Sequence, residues 1–511
     1  MPMHKVARFA DVRDDRGLEV SINDTSIVLL RAGGQVRAFQ GKCPHAGAPL
    51  AKGAVCHGRL ICPWHKAGFR AEDGALCEPP ALDSLLRYHV EVRDEDVWVD
   101  DQPLPAEKIP PADDPRTFVI IGAGAAGTAC AAALRDKGFG GRIQLVDREA
   151  EAGYDRTVLS KYVLAGDMAV DETPPLRDES YFTRQRIERV RGEVTRLDPN
   201  ARKIRLADGQ DLGYDALLIA TGAVPRMPDL PGIDLPQVFV LRSIAHTRRI
   251  LGSARPGQRV VIIGDSFIAM EAASALRKRE LSVTVLARHP VPFAAQLGES
   301  VGQAILARHR ANGVVYHCEG EAARIEGTGK VEAVVLDNGQ RFAADLVIVG
   351  IGVRPATEPF ADLPREPDQS LTTDAGMRVT EGVWAVGDIA TFPLNGQPRR
   401  IEHWRLAQQQ ARIAAANMLG GDEHYLDVPF FWTYHFGKRY DYLGHAEQWD
   451  EVQFKGTPEH PPFIALLGND GLVAAAVACD EGRAMAALAQ RMKQPLPMDQ
   501  AWRLVRDFSS F

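Results

Sequence analysis

Four side chains of metal-binding type lie in two short loops near the start of the chain. Cys43 and His45 belong to the first loop, and Cys62 and His65 belong to the second, in the pattern C-x-H, sixteen residues, C-x-x-H. Two thiolates and two imidazoles can bind one tetrahedral zinc ion. They can also bind a [2Fe–2S] cluster, in which the thiolates hold one iron and the imidazoles hold the other. The residue types alone leave both metal centres open.

The loops around these ligands favour the cluster. A zinc finger normally carries both histidines on a helix in its second half, whereas here each half carries one cysteine and one histidine. Residues 43–50 (CPHAGAPL) and 62–69 (CPWHKAGF) are rich in glycine and proline. They resemble the two cluster loops of the Rieske family, and the resemblance implies that all four side chains are cluster ligands.

The loops depart from the high-potential Rieske proteins at three places. Those proteins carry two further cysteines that form a disulfide, and Ala48 and Trp64 stand at these positions here. The serine that typically follows the last ligand is replaced by Lys66 and Ala67. Fewer hydrogen bonds to the sulfur atoms stabilise the reduced cluster less. We therefore expect a potential at the low end of the Rieske range, roughly −150 mV.

Composition and charge exclude several classes of function. The chain of 511 residues predicts three or four domains. Its net charge of −7 and the absence of a basic run argue against nucleic-acid and membrane partners. The first fifteen residues contain no apolar segment of signal-peptide type. Because five of the seven cysteines occur singly, we expect a reduced, cytoplasmic protein; these are Cys56, Cys77, Cys130, Cys318 and Cys479.

The chain begins with a small module that carries the metal-binding loops. Residues 1–104 contain several short alternating segments, such as 26–30 and 88–92, and few helix signals, so they predict an all-β domain. The range 105–115 falls in a proline-rich stretch, which predicts an extended and stiff linker.

A nucleotide-binding pattern follows the linker. The strand 117–121 leads into Gly122, Gly124 and Gly127, then a helix, and then a second strand that ends in Asp147. The glycines permit a tight turn, close approach of a pyrophosphate and helix packing, and the acid can accept a hydrogen bond from a ribose hydroxyl. This context predicts a first Rossmann unit.

A second such unit begins at residue 259. After the strand 259–263 the turn reads Gly264-Asp-Ser266-Phe-Ile268-Ala269, so serine and alanine replace the second and third glycines. Two Rossmann units without a hydrolytic constellation favour hydride transfer between two cofactors.

Further stretches resemble the two-dinucleotide flavoprotein reductases over residues 116–420. These are the residues 154–161, 217–222, 345–355 and 380–388. The resemblance implies FAD in the segments 116–240 and 346–420, and NAD(P)H in the segment 241–345. It implies the following cofactor-binding residues in addition to those above: Arg156, Lys161, Val194, Ala220, Gly222, Gly352 and Asp388.

The same resemblance implies three residues beside the reacting rings. Glu271 and Phe267 would lie near the nicotinamide, with Phe267 covering the flavin until nicotinamide arrives, although both could equally be helix-packing residues. Trp404 would lie against the isoalloxazine. The stretch 154–161 lacks the cysteine pair of the glutathione-reductase branch, so electrons would leave singly, as in ferredoxin-reductase-type flavoproteins.

Residues 421–511 predict a fourth, α+β domain of the reductase or dimerisation type. The string 428–438 (VPFFWTYHFGK) is similar to apoptosis-inducing-factor-like proteins that carry an N-terminal Rieske module. His435 in this string could shuttle a proton, and a buried histidine with satisfied hydrogen bonds is the alternative.

The end of the second Rossmann strand bears on the choice of nicotinamide. An NAD site normally has Glu or Asp there, whereas this chain continues Ala287-Arg288-His289. Arg288 resembles the arginine that meets the 2′-phosphate in NADP-specific glutathione reductases. The second arginine of those enzymes is absent, because Ala294 stands there. We expect a preference for NADPH over NADH.

Together these patterns predict an NAD(P)H-dependent FAD oxidoreductase that passes electrons through a Rieske cluster to an acceptor protein, such as an oxygenase, a ferredoxin or a cytochrome. The alternative is a redox-sensing interaction protein of the apoptosis-inducing-factor type with slow turnover. The linker leaves two arrangements open, in which the cluster docks on its own flavin or on that of a second subunit in a homodimer.

Overall fold

The computed structural model describes residues 2–105, 110 and 112–509. Within these residues no helix is long and apolar enough to cross a membrane. Part of the linker predicted for residues 105–115 lies outside the described residues.

The first segment consists of two antiparallel sheets. A six-stranded sheet has the order β1-β10-β9-β4-β3-β2, and a four-stranded sheet runs from β5 to β8. The strands are β1 (Met3–Arg8), β2 (Leu18–Ile22), β3 (Thr25–Ala32), β4 (Gln35–Gln40), β5 (Ala54–Cys56), β6 (Arg59–Ile61), β7 (Gly68–Arg70), β8 (Leu76–Glu78), β9 (Arg87–Arg93) and β10 (Asp96–Pro103). The loop with Cys43 and His45 follows β4 of the six-stranded sheet, and the loop with Cys62 and His65 follows β6 of the four-stranded sheet. Each sheet therefore positions one metal-binding loop.

The next segment opens a parallel sheet whose central strands are buried along most of their length. Its elements are β11 (Thr117–Ile121), α1 (Ala125–Asp136), β12 (Arg142–Asp147), α2 (Glu179–Arg184), β13 (Ile187–Arg191), β14 (Val194–Asp198), β15 (Lys203–Leu206), β16 (Asp211–Gly213), β17 (Ala216–Ile219) and β18 (Ala223–Pro225). Continuous apolar strands such as TFVII and ALLI suit a sheet covered on both faces.

A second parallel sheet follows, with the order β19-β26-β20-β21-β22. Its segment contains β19 (Val238–Val240), α3 (Ile244–Ser253), β20 (Arg259–Ile263), α4 (Phe267–Lys278), β21 (Ser282–Leu286), α5 (Ala294–Leu297), α6 (Glu299–Ala311), β22 (Val315–His317), β23 (Ala322–Glu326), β24 (Ala333–Leu336), β25 (Arg341–Ala343) and β26 (Leu346–Val349). Because β19 and β26 belong to this sheet, it extends past both ends of the range 241–345 that the sequence predicts.

The chain then returns to the first parallel sheet, whose full order is β13-β12-β11-β17-β30-β29. The returning elements are β27 (Val353–Pro355), β28 (Leu371–Thr372), β29 (Arg378–Thr380), β30 (Val383–Ala385), β31 (Ala390–Leu394), β32 (Gln397–Arg399) and α7 (Trp404–Met418). Two antiparallel strands, β18 and β27, connect the sheets in both directions. The second sheet is therefore an insertion in the first.

The last segment is a five-stranded antiparallel sheet followed by two helices. The order is β33-β34-β37-β36-β35, with β33 (Phe430–His435), β34 (Lys438–Gly444), β35 (Glu451–Thr457), β36 (His460–Asn469), β37 (Leu472–Cys479), α8 (Gly482–Arg491) and α9 (Met498–Phe508). One face of this sheet packs in the core of the second parallel sheet, where Tyr440, Phe463 and Val477 are buried.

Candidate functional site

The two metal-binding loops have the same backbone hydrogen bonds. The amide of Cys43 donates to the carbonyl of Ala48, and the amide of Cys62 donates to that of Ala67, both at 2.8 Å. The residue four positions after each cysteine, Gly47 or Lys66, has positive φ. The loops thus repeat one turn, which presents a cysteine and a histidine from each side.

The four ligands form two pairs of like atoms. The thiols of Cys43 and Cys62 are buried and interact with each other, and this interaction raises the pKa of Cys43. The Nδ1 atoms of His45 and His65 lie 3.1 Å apart. Burial lowers the pKa of both histidines, which therefore stay neutral and can bind metal.

This pairing distinguishes between the two metal centres. Among the described residues, no three Cys, His, Asp or Glu side chains lie where one metal ion could join them. A single zinc ion needs its ligands around one point. A thiolate pair and an imidazole pair that stand apart fit a cluster with two irons, one for each pair.

A glycine-lined cradle lies at the start of α1. A Cβ atom at Gly127 would be 1.8 Å from the carbonyl oxygen of Gly122, so no side chain fits there. A Cβ atom at Gly124 would have no neighbour within 4 Å, which leaves open space above the helix N-terminus. Asp147 closes the turn by accepting from the amides of Ala123, at 2.6 Å, and Glu149, at 2.8 Å. The cradle fits a dinucleotide pyrophosphate.

A cavity of about 1570 Å³ extends from this cradle to His45 and His65, two of the predicted cluster ligands. A pocket for one drug-sized ligand measures about 300–1,000 Å³, so this cavity has room for more than one cofactor. The predicted site residues that line it are His45, His65, Gly122, Gly124, Asp147, Arg156, Lys161, Val194, Ala220, Gly222, Ser266, Phe267, Ile268, Glu271, Gly352, Asp388 and Trp404. Among the described atoms, the indole Nε1 of Trp404 is buried without a partner, as is Nδ1 of His403. Such buried donors fit a polar ring system.

Five predicted site residues lie outside the cavity lining. Cys43 and Cys62 are buried, and Gly127 and Gly264 lie close against the backbone oxygens of Gly122 and Gly350. Arg288 is exposed just after β21. Beside it, Asp265 accepts from the backbone amide of His289 at 3.1 Å and lies 3.0 Å from its ring nitrogen.

A buried polar cluster forms one wall of the cavity. The carboxylate of Glu271 on α4 accepts from the hydroxyl of Ser160, from Nζ of Lys161 at 3.0 Å and from the hydroxyl of Thr433 at 2.7 Å. Glu271 and Lys161 are both almost fully buried. The sequence analysis predicts separate roles for Glu271 and Lys161, whereas the fold joins them in one hydrogen-bonded group.

Trp432 lies between the cluster ligands and this polar wall. Its ring centroid is 5.4 Å from that of His65. Two cations cover the indole, with Nζ of Lys161 at 4.6 Å and the guanidinium of Arg439 at 4.7 Å from the ring centroid. The sequence analysis assigns no role to Trp432, although it lies in the string 428–438.

A buried ion pair holds the second metal-binding loop against the last segment. Lys66 is fully buried, and its Nζ donates to Asp441 at 2.9 Å, to the carbonyl of Pro63 at 2.6 Å and to that of Gly482 at 3.4 Å. Arg439 donates to the carbonyl of Trp64 and, at 2.7 Å, to Asp441. The lysine that replaces the usual Rieske serine thus connects two domains.

A second buried network centres on Glu78 at the end of β8. Its carboxylate accepts from Arg405 on α7, from Lys493 after α8 and, at 3.1 Å, from Gln490. Burial alone would raise the pKa of Glu78, but Arg405 and Lys493 outweigh it and lower the pKa to about 2. The first segment is therefore fixed to both the flavoprotein segment and the last segment.

The comparisons with known proteins agree with this architecture. The model of the pyridine nucleotide-disulphide oxidoreductase family matches residues 116–411, more than half of the chain. The chain belongs to this family. The model of the Rieske [2Fe–2S] domain matches residues 3–89 of this oxidoreductase.

Several relatives share most of the chain. Apoptosis-inducing factor 3 of Homo sapiens is 34% identical over 489 residues, which is 90% of this oxidoreductase and 79% of the human protein. The biphenyl dioxygenase system ferredoxin–NAD(+) reductase component of Paraburkholderia xenovorans is 36% identical and covers 72% of the chain and 90% of its own length. The crystal structure of the ferredoxin reductase for the CYP199A2 system of Rhodopseudomonas palustris has a TM-score of 0.72 at 29% identity, over 77% of this chain and all of its own.

These findings confirm the predicted family and enzyme class. The chain is an NAD(P)H-dependent flavin oxidoreductase of the ferredoxin-reductase type with an N-terminal Rieske domain.

Proposed function

We propose that the protein passes electrons from NAD(P)H through FAD to its own Rieske cluster and on to an acceptor protein. The observation that carries the proposal is the shared cavity: His45 and His65 line the same space as the nucleotide glycines Gly122 and Gly124. FAD accepts a hydride and releases electrons singly, and the cluster carries one electron at a time.

The chain's residues bind and orient these groups. Gly124, Asp147 and Asp388 would hold the FAD, and Trp404 offers its buried indole N–H to the ring system. Ser266 caps α4, because its hydroxyl accepts from the amide of Ala269 at 3.3 Å, and this helix N-terminus would face the nicotinamide dinucleotide. We propose the domain ranges predicted from the sequence, except that the NAD(P)H segment extends over 238–349 to include β19 and β26, with the last segment as an α+β domain that supports the cluster.

Buried contacts favour transfer within one chain. Lys66 and Glu78 hold the cluster domain on the surfaces of its own chain that border the cavity. Ile61 of the cluster domain also packs in one apolar cluster with Ala486 and Ala487 of the last segment, and burial of this apolar surface favours the docked position. A second subunit is not needed to bring the cluster to the flavin.

The acceptor is proposed to be a separate protein. The names of several relatives describe reductase components of dioxygenase systems, including those for biphenyl and benzene. An oxygenase, a ferredoxin or a cytochrome would each accept single electrons. The redox-sensor alternative predicts slow turnover with any acceptor, so a fast rate with an artificial acceptor favours the oxidoreductase.

An anaerobic titration with NADPH tests the proposal. The flavin absorbance should bleach and the EPR signal of the reduced cluster should grow together. A mixing experiment tests the route: a Gly124→Ala chain from which the weakly held FAD has been removed by dialysis is combined with a cluster-free Cys43→Ser chain. If transfer occurs within one chain, the mixture should reduce the cluster far more slowly than the unchanged protein. Rapid reduction in the mixture would show transfer between chains, and a cluster that stays oxidised in the unchanged protein would disprove the function.

The preference for NADPH is a further proposal. Arg288 is exposed and has no ion pair among the described residues, so its guanidinium is available for a 2′-phosphate. Arg288→Gln should lower kcat/KM for NADPH by about 10- to 100-fold, the value of a charge-assisted hydrogen bond of about 1.5–3 kcal/mol. The value for NADH should stay nearly constant. Arg324→Gln, an exposed substitution in the same segment, is the control, and equal losses with both nucleotides would refute the assignment.

A further inference from the structure

A chain of hydrogen bonds runs from the cavity wall into the protein interior. It begins at Glu271, whose Oε1 accepts from the hydroxyl of Thr433 at 2.7 Å. The same hydroxyl lies 2.9 Å from Nε2 of His435. Nδ1 of His435 lies 3.2 Å from Nε2 of His309. Four side chains on three elements, α4, β33 and α6, therefore form one continuous path.

Each link of this path can both donate and accept a proton. A hydroxyl has a donor and two lone pairs, and a neutral imidazole has one of each. Burial lowers the pKa of His309 to about 3, and burial together with the neighbouring cations lowers that of His435 well below its usual range. Both rings are therefore neutral and retain a free lone pair for a passing proton.

The inner end of the path has an unsatisfied atom. Nδ1 of His309 is buried, and among the described residues it has no hydrogen-bond partner. Buried polar atoms of this kind normally bind an ordered water molecule. His309 lies in the last turn of α6, and the following residues Asn312 and Gly313 are exposed. The path thus ends three residues, in sequence, before exposed Asn312 at the end of α6.

The reaction requires such an exit. This step rests on the proposed function. In that reaction NAD(P)H reacts with two oxidised one-electron acceptors and yields NAD(P)⁺, two reduced acceptors and one proton. The hydride brings two electrons and one proton into the cavity, and an iron–sulfur cluster removes only the electrons. One proton for each NAD(P)H therefore has to leave the cavity.

We propose that Glu271, Thr433, His435 and His309 form a proton relay that carries this proton to solvent. Once the cofactor has given up its two electrons, its bond to the hydrogen that arrived as hydride would break, and this proton forms an O–H bond on the Glu271 carboxylate. The protonated acid then donates to Thr433, which reverses the hydrogen bond seen in the structure. Thr433 gives its own proton to Nε2 of His435. The Nδ1 proton of His435 passes to Nε2 of His309, and the Nδ1 proton of His309 passes to water. No electrons move in these steps.

Thr433→Val interrupts the relay with little change of shape, and Thr433→Ser keeps the hydroxyl as the matched control. Proton release is followed with a pH indicator in weakly buffered solution during a single anaerobic turnover with NADPH, together with flavin absorbance and cluster EPR. In the valine variant we expect release to slow by about 100-fold, the lower end of the contribution of a positioned proton-transfer group. The serine variant should match the unchanged protein.

A second readout does not depend on turnover. In resting holoprotein labelled with ¹⁵N-histidine, solvent deuterium should replace the ring N–H protons of His309 and His435 more slowly in the valine variant than in the serine variant. A merely structural role of the hydroxyl would change the unfolding midpoint but neither of these rates. Equal proton-release rates in the two variants would overturn the relay and leave the proposed function intact. Failure of NADPH to reduce the flavin in the unchanged protein would overturn both.

Discussion

Replacing Glu78 with glutamine is expected to lower the free energy of unfolding by about 3–5 kcal/mol. The carboxylate is almost fully buried and neutralises Arg405 and Lys493, which come from two other segments of the chain. Glutamine would leave the buried guanidinium of Arg405 without its counter-charge, whereas Lys493 keeps Asp427 as a partner at 2.6 Å. The loss can be measured by urea unfolding, with cluster EPR as a probe of the first domain.

The same interaction predicts a dependence on pH. The pKa of Glu78 is lowered to about 2 in the folded protein, whereas glutamate in an unfolded chain has a pKa of about 4.3. The stabilisation is therefore fully present above about pH 4.3 and is lost as the pH falls toward about 2. Glu78→Gln should remove this acid sensitivity.

Asp83→Asn is the matched control for this substitution. Asp83 pairs with Arg177 at the same boundary between domains, but its side chain is 58% exposed. An exposed pair contributes about 0–1 kcal/mol. Similar losses from the two substitutions would show that burial of Glu78 is not the cause.

Gly124→Ala is expected to weaken FAD binding by about 10- to 100-fold without disturbing the fold. The new Cβ meets no protein atom within 4 Å, and the backbone φ of −71° is one that alanine adopts readily. The methyl group would occupy the space through which a pyrophosphate reaches the helix N-terminus. Losing one hydrogen bond to a charged group, worth about 1.5–3 kcal/mol, corresponds to this change in affinity.

Two further glycines make the experiment decisive. Gly127→Ala should destabilise the protein itself, because its Cβ would clash with the carbonyl of Gly122. Gly252→Ala in α3 is the control. Its Cβ would also meet no atom within 4 Å, and no predicted cradle residue is near Gly252 in sequence, so the flavin content should stay unchanged. The ratio of flavin absorbance to protein, with cluster EPR as the internal standard, reports each outcome. Full retention of flavin by the Gly124 variant would place the pyrophosphate elsewhere.

Local patterns predict the parts of this protein that depend on near neighbours in sequence. The strands 117–121 and 259–263 are confirmed to the residue, because each is a short apolar run bounded by turn residues. The metal ligands and the glycine turns are also read from local spacing.

Long-range partners leave no such signal. The sequence analysis treats Lys66 as a missing serine, but its role depends on Asp441, which is 375 residues away. Glu78 and Arg405 are separated by 327 residues, and nothing in either local sequence predicts that they meet. The relay from Glu271 to His309 is similarly assembled by tertiary packing of a helix, a strand and a second helix.

The buried charges of the first domain also constrain how the protein is made. A ribosome completes the cluster domain early, yet Asp441 and Lys493 emerge only several hundred residues later. At about 5–20 residues per second, this delay amounts to roughly 20–80 s. During that time Lys66 and Glu78 remain hydrated surface charges on the nascent chain. The docking surface of the newly made cluster domain thus carries two charges beside apolar residues such as Ile61 until its partners arrive, and these charges oppose aggregation of an early-folding domain during synthesis.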